Sequence, residues 1–251
     1  MTQYSFGTGT LICKRTDLTL QQPALLGVLQ DISVDFDRKI EELVGQYNVA
    51  VAIAGGQLSI KGKAKFARLQ ATHFNNLFLG QSMTTPAMLE MTTGESGTVS
   101  GGAITVANGA TFVEDLGVFN ASTGVQLTPV ASSPAAGTSY VAGAAGVGAY
   151  SFHTGDNGTA YLIYYTYTTT SSGSKIVAAN QLMGPIPVFE LHFKESFTVG
   201  GVAKDIILKL NACSASKLSL PFSNTKFTIP EFEFSAFADS SNNWGTLSFS
   251  E

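Results

Sequence analysis

Stretches in which apolar and polar residues alternate with a period of two constrain this chain more than any other feature. In DISVDFD, Ile32, Val34 and Phe36 point one way while Asp31, Ser33, Asp35 and Asp37 point the other. In QLSIKGKAKFA, Leu58, Ile60, Ala64 and Phe66 share a face, and Lys61, Lys63 and Lys65 take the opposite one. VFELHFKE sets Phe189, Leu191 and Phe193 against Glu190, His192 and Lys194, and TIPEFEFSAF sets Phe232 and Phe234 against Glu231 and Glu233. Strands with one dry and one wet face belong to antiparallel sheets. The expected class is mainly β, an antiparallel sandwich or barrel.

A short helix interrupts the strands. In LQATHFNNLFLG, Ala71, Phe74, Leu77 and Phe78 fall on one side, and Gly80 stands where a left-handed cap ends a helix. A lone helix with one apolar stripe is expected to cover an open side of the β-core as a lid.

Charge is distributed unevenly. Between residues 81 and 184 Lys175 is the only cation, and the anions are Glu90, Glu95, Glu114, Asp115 and Asp156. Such a break suggests an insertion at 94–172 within a discontinuous domain made of 1–93 and 173–251. The insertion is expected to be a small β-subdomain on the outer surface, since ATFVEDLGVFN and TAYLIYYTYTTT are β-rich and SSPAAGTS and TGDNG are turn sequences.

The same arithmetic excludes several functions. A formal net charge of -4 without a basic run gives no grip on nucleic acid phosphates. Cys13 and Cys213 are too few for a disulfide framework. MTQYSFGTGT lacks the basic start and apolar stretch of a secretory signal, and no run is apolar enough for a membrane span, so cytoplasmic assembly is expected. His73, His153 and His192 are scattered, without the spacing of a zinc-binding helix. GAAGVG at 143–148 lacks the Lys and the following helix of a phosphate loop. Glu190 and His192 share a strand face, the ordinary arrangement of a wet sheet surface. No catalytic set, metal or cofactor is expected. The acidic row Asp31, Asp35, Asp37 and the basic row Lys61, Lys63, Lys65 suit either a solvated sheet or complementary surfaces meeting between copies.

The opening YSFGTGTLICKRTD, the run LLGVLQDISVDFDRKIEELVGQYNVAVAIAGGQLSIKGKAKFARLQATHFNNLFLGQ and the end KDIILKLNACSASKLSLPFSNTKFTIPEFEFSAFADSSNNWGTLSFSE resemble the tail tube proteins, or major tail proteins, of tailed bacteriophages and prophages. VANGATFVEDLGVFNASTGVQLTPV and YLIYYTYT resemble the variable insert of some members. The resemblance implies a β-sandwich or barrel with a flanking helix, homohexameric rings, and rings stacked into a hollow tube that conducts the DNA genome. It implies assembly in the host bacterial cytoplasm into the virion tail, with tape-measure, tail terminator and baseplate or tail-tip partners. On this view Lys39, Glu41, Glu42, Gln46 and Tyr47, in a segment taken as a loop between strands, belong to a subunit or ring interface with Lys61, Lys63 and Lys65. Asp31, Ser33, Asp35 and Asp37 are the candidates to face the lumen, where carboxylates keep DNA from sticking. The competing reading is a carbohydrate- or surface-binding β-sandwich module, drawn from the aromatics between Tyr161 and Tyr167 and from Trp244.

Overall fold

The computed structural model describes residues 7, 9–17, 22–68, 70–184, 186–199 and 202–250. The chain divides into two compact units, Met1–Ser82 with Val177–Glu251, and Met83–Ile176. The first holds β1 (Thr10–Arg15), β2 (Ala24–Leu26), β3 (Leu29–Val44), β4 (Ala50–Phe66), β15 (Phe189–Val199), β16 (Val202–Ser219), β17 (Glu231–Phe237) and β18 (Gly245–Phe249). The second holds β5 (Met83–Thr84), β6 (Met88–Met91), β7 (Glu95–Thr98), β8 (Ala103–Thr105), β9 (Phe112–Asn120), β10 (Thr128–Pro129), β11 (Ser139–Tyr140), β12 (Ala149–Ser151), β13 (Ala160–Thr169) and β14 (Lys175–Ile176). The protein is mainly β, and its pairings are antiparallel except the short β10–β11 contact.

In the first unit one sheet runs β2-β1-β15-β16-β17-β4-β3, with β18 also joined to β16. The apolar positions of the alternating stretches point inward: Ile60, Ala64, Phe66, Phe189, Leu191, Phe232 and Phe234 are buried. Leu11 and Leu26, near one end of the strand order, join the same core as Ile60 and Phe66 near the other. The twisted sheet therefore curls around its own core. Phe232 stacks on Phe234 at 5.4 Å and tilts against Phe189 at 5.8 Å. Gly62 permits this packing, because a Cβ there would collide with the Phe234 ring and the Ser33 carbonyl. Cys13 and Cys213 are free and buried in this core, and burial pushes both thiols up, that of Cys213 to about 12.

The helical segment is shorter than its apolar stripe suggests. One α-turn, α1 (Ala71–Phe74), runs into a π-turn at Asn75–Leu79, and Leu69 lies outside the described residues. Gln70 supplies no side-chain cap at its start. Gly80 ends the segment at φ 63, and its N–H donates to the Asn75 carbonyl at 2.6 Å. The Asn75 side chain donates to the Gln81 carbonyl at 2.7 Å and accepts from the Gln81 N–H at 2.9 Å. This fixes the exit of the chain while Leu77 enters the core. The segment packs on β1, β2 and β16. No helix among the described residues is long and apolar enough to cross a membrane.

The second unit is wider than residues 94–172, because β6 pairs with β13 and β5 pairs with β14. Strand pairing sets its edges, and the drop in charge does not coincide with them. β13 is its central strand, flanked by β9 on one side and by β6 and β7 on the other. Tyr161, Ile163 and Tyr165 form its fully buried face. They meet Tyr140, Tyr150 and Phe152 in an aromatic core, with Phe152 stacked on Tyr161 at 4.9 Å.

A buried phenol needs a hydrogen-bond partner, and for Tyr140, Tyr150 and Tyr165 carboxylates provide it. A register shift in the β9–β13 pairing leaves Leu116 unpaired beside Gly117, whose φ is 124. Asp115 then accepts from the hydroxyls of Tyr140 at 2.6 Å and Tyr150 at 2.8 Å, and from the Gly117 N–H at 3.1 Å. Tyr165 donates to Glu95 at 2.5 Å, and Tyr167 donates to Glu90 at 2.8 Å. Buried Asp156 accepts from the Gly137 N–H at 2.8 Å. Burial, and then the hydrogen bond and charge of Asp115, push the phenols of Tyr140 and Tyr150 well above their ordinary value of 10.

Two outcomes follow for this unit. Asp115→Leu strands two buried hydroxyls and should cost about 2–4 kcal/mol in urea unfolding. Adding Tyr140→Phe and Tyr150→Phe should recover part of the loss, and an unchanged midpoint for the single variant would refute the pinning role. In alkali the sign is set by raised folded-state pKa values. The stabilisation is intact below the ordinary tyrosine pKa and is lost as pH climbs above about 10. Tyrosine absorbance at 295 nm should rise together with unfolding; phenolate formation by all tyrosines near pH 10 in a still folded chain contradicts this.

Candidate assembly surface

The strands β3 and β4 form a hairpin of 16 and 17 residues that the core of the first unit supports only at its root. Leu29 is buried and Ile32 and Val34 pack against the core, so the inward face of DISVDFD begins as its alternation implies. Phe36 is already 46% exposed and meets the core edge through Trp244, with ring centroids 5.7 Å apart. Register shifts follow at Arg38/Ile40 and Leu43/Val44. Such irregularities bend a ribbon and increase its twist. Beyond them Ile40, Leu43, Val44, Tyr47, Val49, Val51 and Ile53 are all at least 60% exposed.

The segment from Lys39 to Tyr47 is therefore not a loop. Lys39, Glu41 and Glu42 lie in the last part of β3, and Gln46 and Tyr47 lie in the turn before β4. All five side chains are exposed. The alternation fails here because neither face of the arm is buried within the chain. Its outer strand, β3, is also the last strand of the sheet among the described residues. From Ile40 to Val44 its outward edge pairs with no other strand among the described residues, and such an edge can take up another strand.

The acidic and basic rows come together in one chain. Cross-strand partners are Asp31 with Lys65, Ser33 with Lys63, Asp35 with Lys61, and Asp37 with Ser59. On the other side of β4, Glu231 faces Lys65 and Glu233 faces Lys63. Lys65 Nζ lies 3.8 Å from Asp31 and 3.5 Å from Glu231, and Lys217 pairs with Glu233 at 3.0 Å. Directly opposed residues share a face. Lumen-facing aspartates and interface lysines therefore cannot be assigned to two different surfaces, and whatever this face meets, both rows meet it. Half-exposed pairs of this kind contribute about 0–1 kcal/mol each. Their main effect is to leave the face close to neutral.

Other apolar side chains stand in loops without cover. Leu182 is 89% exposed, Phe222 81% and Phe227 95%, and Met183 is fully exposed. No period marked these positions in the sequence, and their loops are short apolar runs broken by Pro and Gly. The aromatics proposed for sugar stacking behave oppositely. Tyr161 and Tyr165 are fully buried, Tyr167 is held by Glu90, and Trp244 packs against Phe36.

The groups that could carry chemistry remain apart. Buried His73 belongs to α1, with a pKa lowered by burial and by the neighbouring Arg68 charge. His153 accepts from the Gly155 N–H at 2.9 Å, and His192 lies 3.2 Å from Glu190 on an open strand face. Residues 143–148 make a turn before β12, where the N–H groups of Gly146 and Gly148 donate to the carbonyls of Phe112 and Ala144. Those amides are engaged within the chain and form no open phosphate cradle. Among the described residues no group of three or more His, Cys, Asp or Glu side chains could hold a metal ion.

The arm should be separable from the fold. Replacing residues 39–57 with an Asn-Gly turn between the register partners Arg38 and Leu58 should leave stability within about 1 kcal/mol of the parent. Circular dichroism and thermal melting test this, and loss of folding would show that the arm supports the core. No protein-family model matches the chain, and comparison with curated proteins finds no match.

Proposed function

We propose that this chain is a self-assembling structural protein whose copies close into rings and stack into a hollow tube, as in the bacteriophage tail tube proteins it resembles. The observation that carries the reading is the β3–β4 arm. It exposes a row of large apolar side chains and ends the sheet with an open edge strand. Such an edge is an aggregation hazard unless a partner covers it. A second copy is the simplest partner, and repetition of one such contact closes a ring when its rotation permits.

The resemblance supplies the finer terms of the proposal: a homohexamer, passage of double-stranded DNA through the bore, and tape-measure, terminator and baseplate or tail-tip proteins as partners. The mixed face of β3, β4, β17 and the end of β16 is assigned to the bore as a whole. It presents Asp31, Asp35, Asp37, Glu231 and Glu233 against Lys61, Lys63, Lys65 and Lys217, a surplus of one negative charge. A nearly neutral, slightly acidic wall gives phosphates no lasting hold, because grip on DNA requires clustered cations.

Negative-stain electron microscopy of the concentrated protein should show hollow rings or tubes, and light scattering should find the 39–57 replacement monomeric. A parent chain that stays monomeric at every concentration, with or without tail partners, sinks the proposal.

A further inference from the structure

The hairpin β16–β17 carries an exposed anchor at one end and an open cleft at the other. The anchor is the connection 220–230, LPFSNTKFTIP, whose only charge is Lys226 and whose Phe227 is 95% exposed. The cleft, about 440 Å³, is lined by Val188, Glu190, Lys209, Asn211, Phe237 and Asp239 among others. A closed apolar cavity of about 150 Å³ already accepts benzene, so a phenyl ring with a lysine stem fits in this volume.

We infer that Lys226 and Phe227 of one copy dock into this cleft of a second copy, head to tail. This rests on the self-assembly reading above and names one contact within it. Three observations support it. The first is charge: Glu190 and Asp239 outnumber Lys209 by one, and the connection brings one cation and no anion. Lys209 Nζ is 3.9 Å from one Glu190 oxygen, a loose pairing, and His192 lies 3.2 Å from the other. Asp239 accepts from the N–H groups of Ser241 and Asn243 at 2.9 Å each and from the Asn211 side chain at 2.8 Å, so the cleft's acid is fixed in place.

The second is the apolar wall, where Val188, Ala212, Phe237 and Ala238 offer a surface and Phe237 itself is 45% exposed. The third is reach. Pairing of Ala212 with Phe237 lies by the cleft, and pairing of Ser219 with Glu231 lies at the connection. Glu231 and Phe237 are roughly 20 Å apart at strand rise. Phe227 is four residues from Glu231 and extends roughly 14 Å at most. With Phe227 95% exposed, the anchor does not fill the cleft of its own chain, so the cleft that receives it belongs to a second copy.

The test uses full-length chains carrying one new thiol each, Phe227→Cys or Ser240→Cys, since Cys13 and Cys213 are buried. Under mild oxidation with copper phenanthroline the mixture should give a cross-linked pair joining 227 to 240, and a chain with both substitutions should give a ladder. Lys226→Glu and Glu190→Lys should each weaken association about tenfold or more, and the two together should restore it. A parent that assembles while the thiol variants give no 227–240 cross-link overturns the docking and leaves self-assembly standing. A cross-link from Leu182→Cys in place of Phe227→Cys also overturns it and names another occupant. A parent that never associates removes both proposals.

Discussion

A two-stranded ribbon has no inside of its own, and this constraint governs the first unit. At strand rise β3 and β4 extend roughly 55 Å, yet the core touches only the part from Leu29 to Val34 and from Leu58 to Phe66. Leu29, Ile32 and Val34 find partners and Phe36 finds Trp244, after which the ribbon continues with nothing beneath it. Hairpins of this kind are marginal in isolation. Arg38, Lys39, Glu41 and Glu42 are interspersed among the apolar residues of the arm, and charges there discourage indiscriminate strand pairing. The arm combines exposure of apolar area with charges that select what may cover it.

The two units handle charge in opposite ways. In the first, acids and lysines stand side by side on a wet face, where salt screens them and each pair contributes little. In the second, Glu90, Glu95 and Asp115 are held by tyrosine hydroxyls, and Asp156 by a backbone amide. This gives the poverty of charge between residues 81 and 184 a physical meaning. Four of the five acids there accept from tyrosine hydroxyls or backbone amides, Glu114 is exposed, and Lys175 remains the only cation of the segment. Screening by salt should therefore act on the first unit far more than on the second.

Much of the core was legible in the sequence, because burial on one side of a strand imposes a period of two. The inward positions of β15 and β17 and of the second half of β4 follow it. The arm was not legible as strand, since exposure on both faces removes the period that marks one. The opposition of Asp31 to Lys65 was hidden for another reason. Register depends on where a hairpin turns, and the turn at 45–49 carries no strong two-residue signal. The Asp115 pins join residues 25 and 35 positions apart, which no local pattern encodes. The edges of the second unit depend on β5, β6 and β14, strands of two to four residues, which are too short to mark themselves by a period.

The pairing of Phe36 with Trp244 has an optical consequence. The chain has a single tryptophan, which packs at the root of the arm, whereas Tyr140, Tyr150, Tyr161, Tyr164, Tyr165 and Tyr167 all belong to the second unit. Excitation at the red edge of protein absorbance therefore illuminates one side of the arm's hinge and leaves the second unit dark. Any event that levers the arm or dries its base is written into the colour and lifetime of that emission, with no label attached.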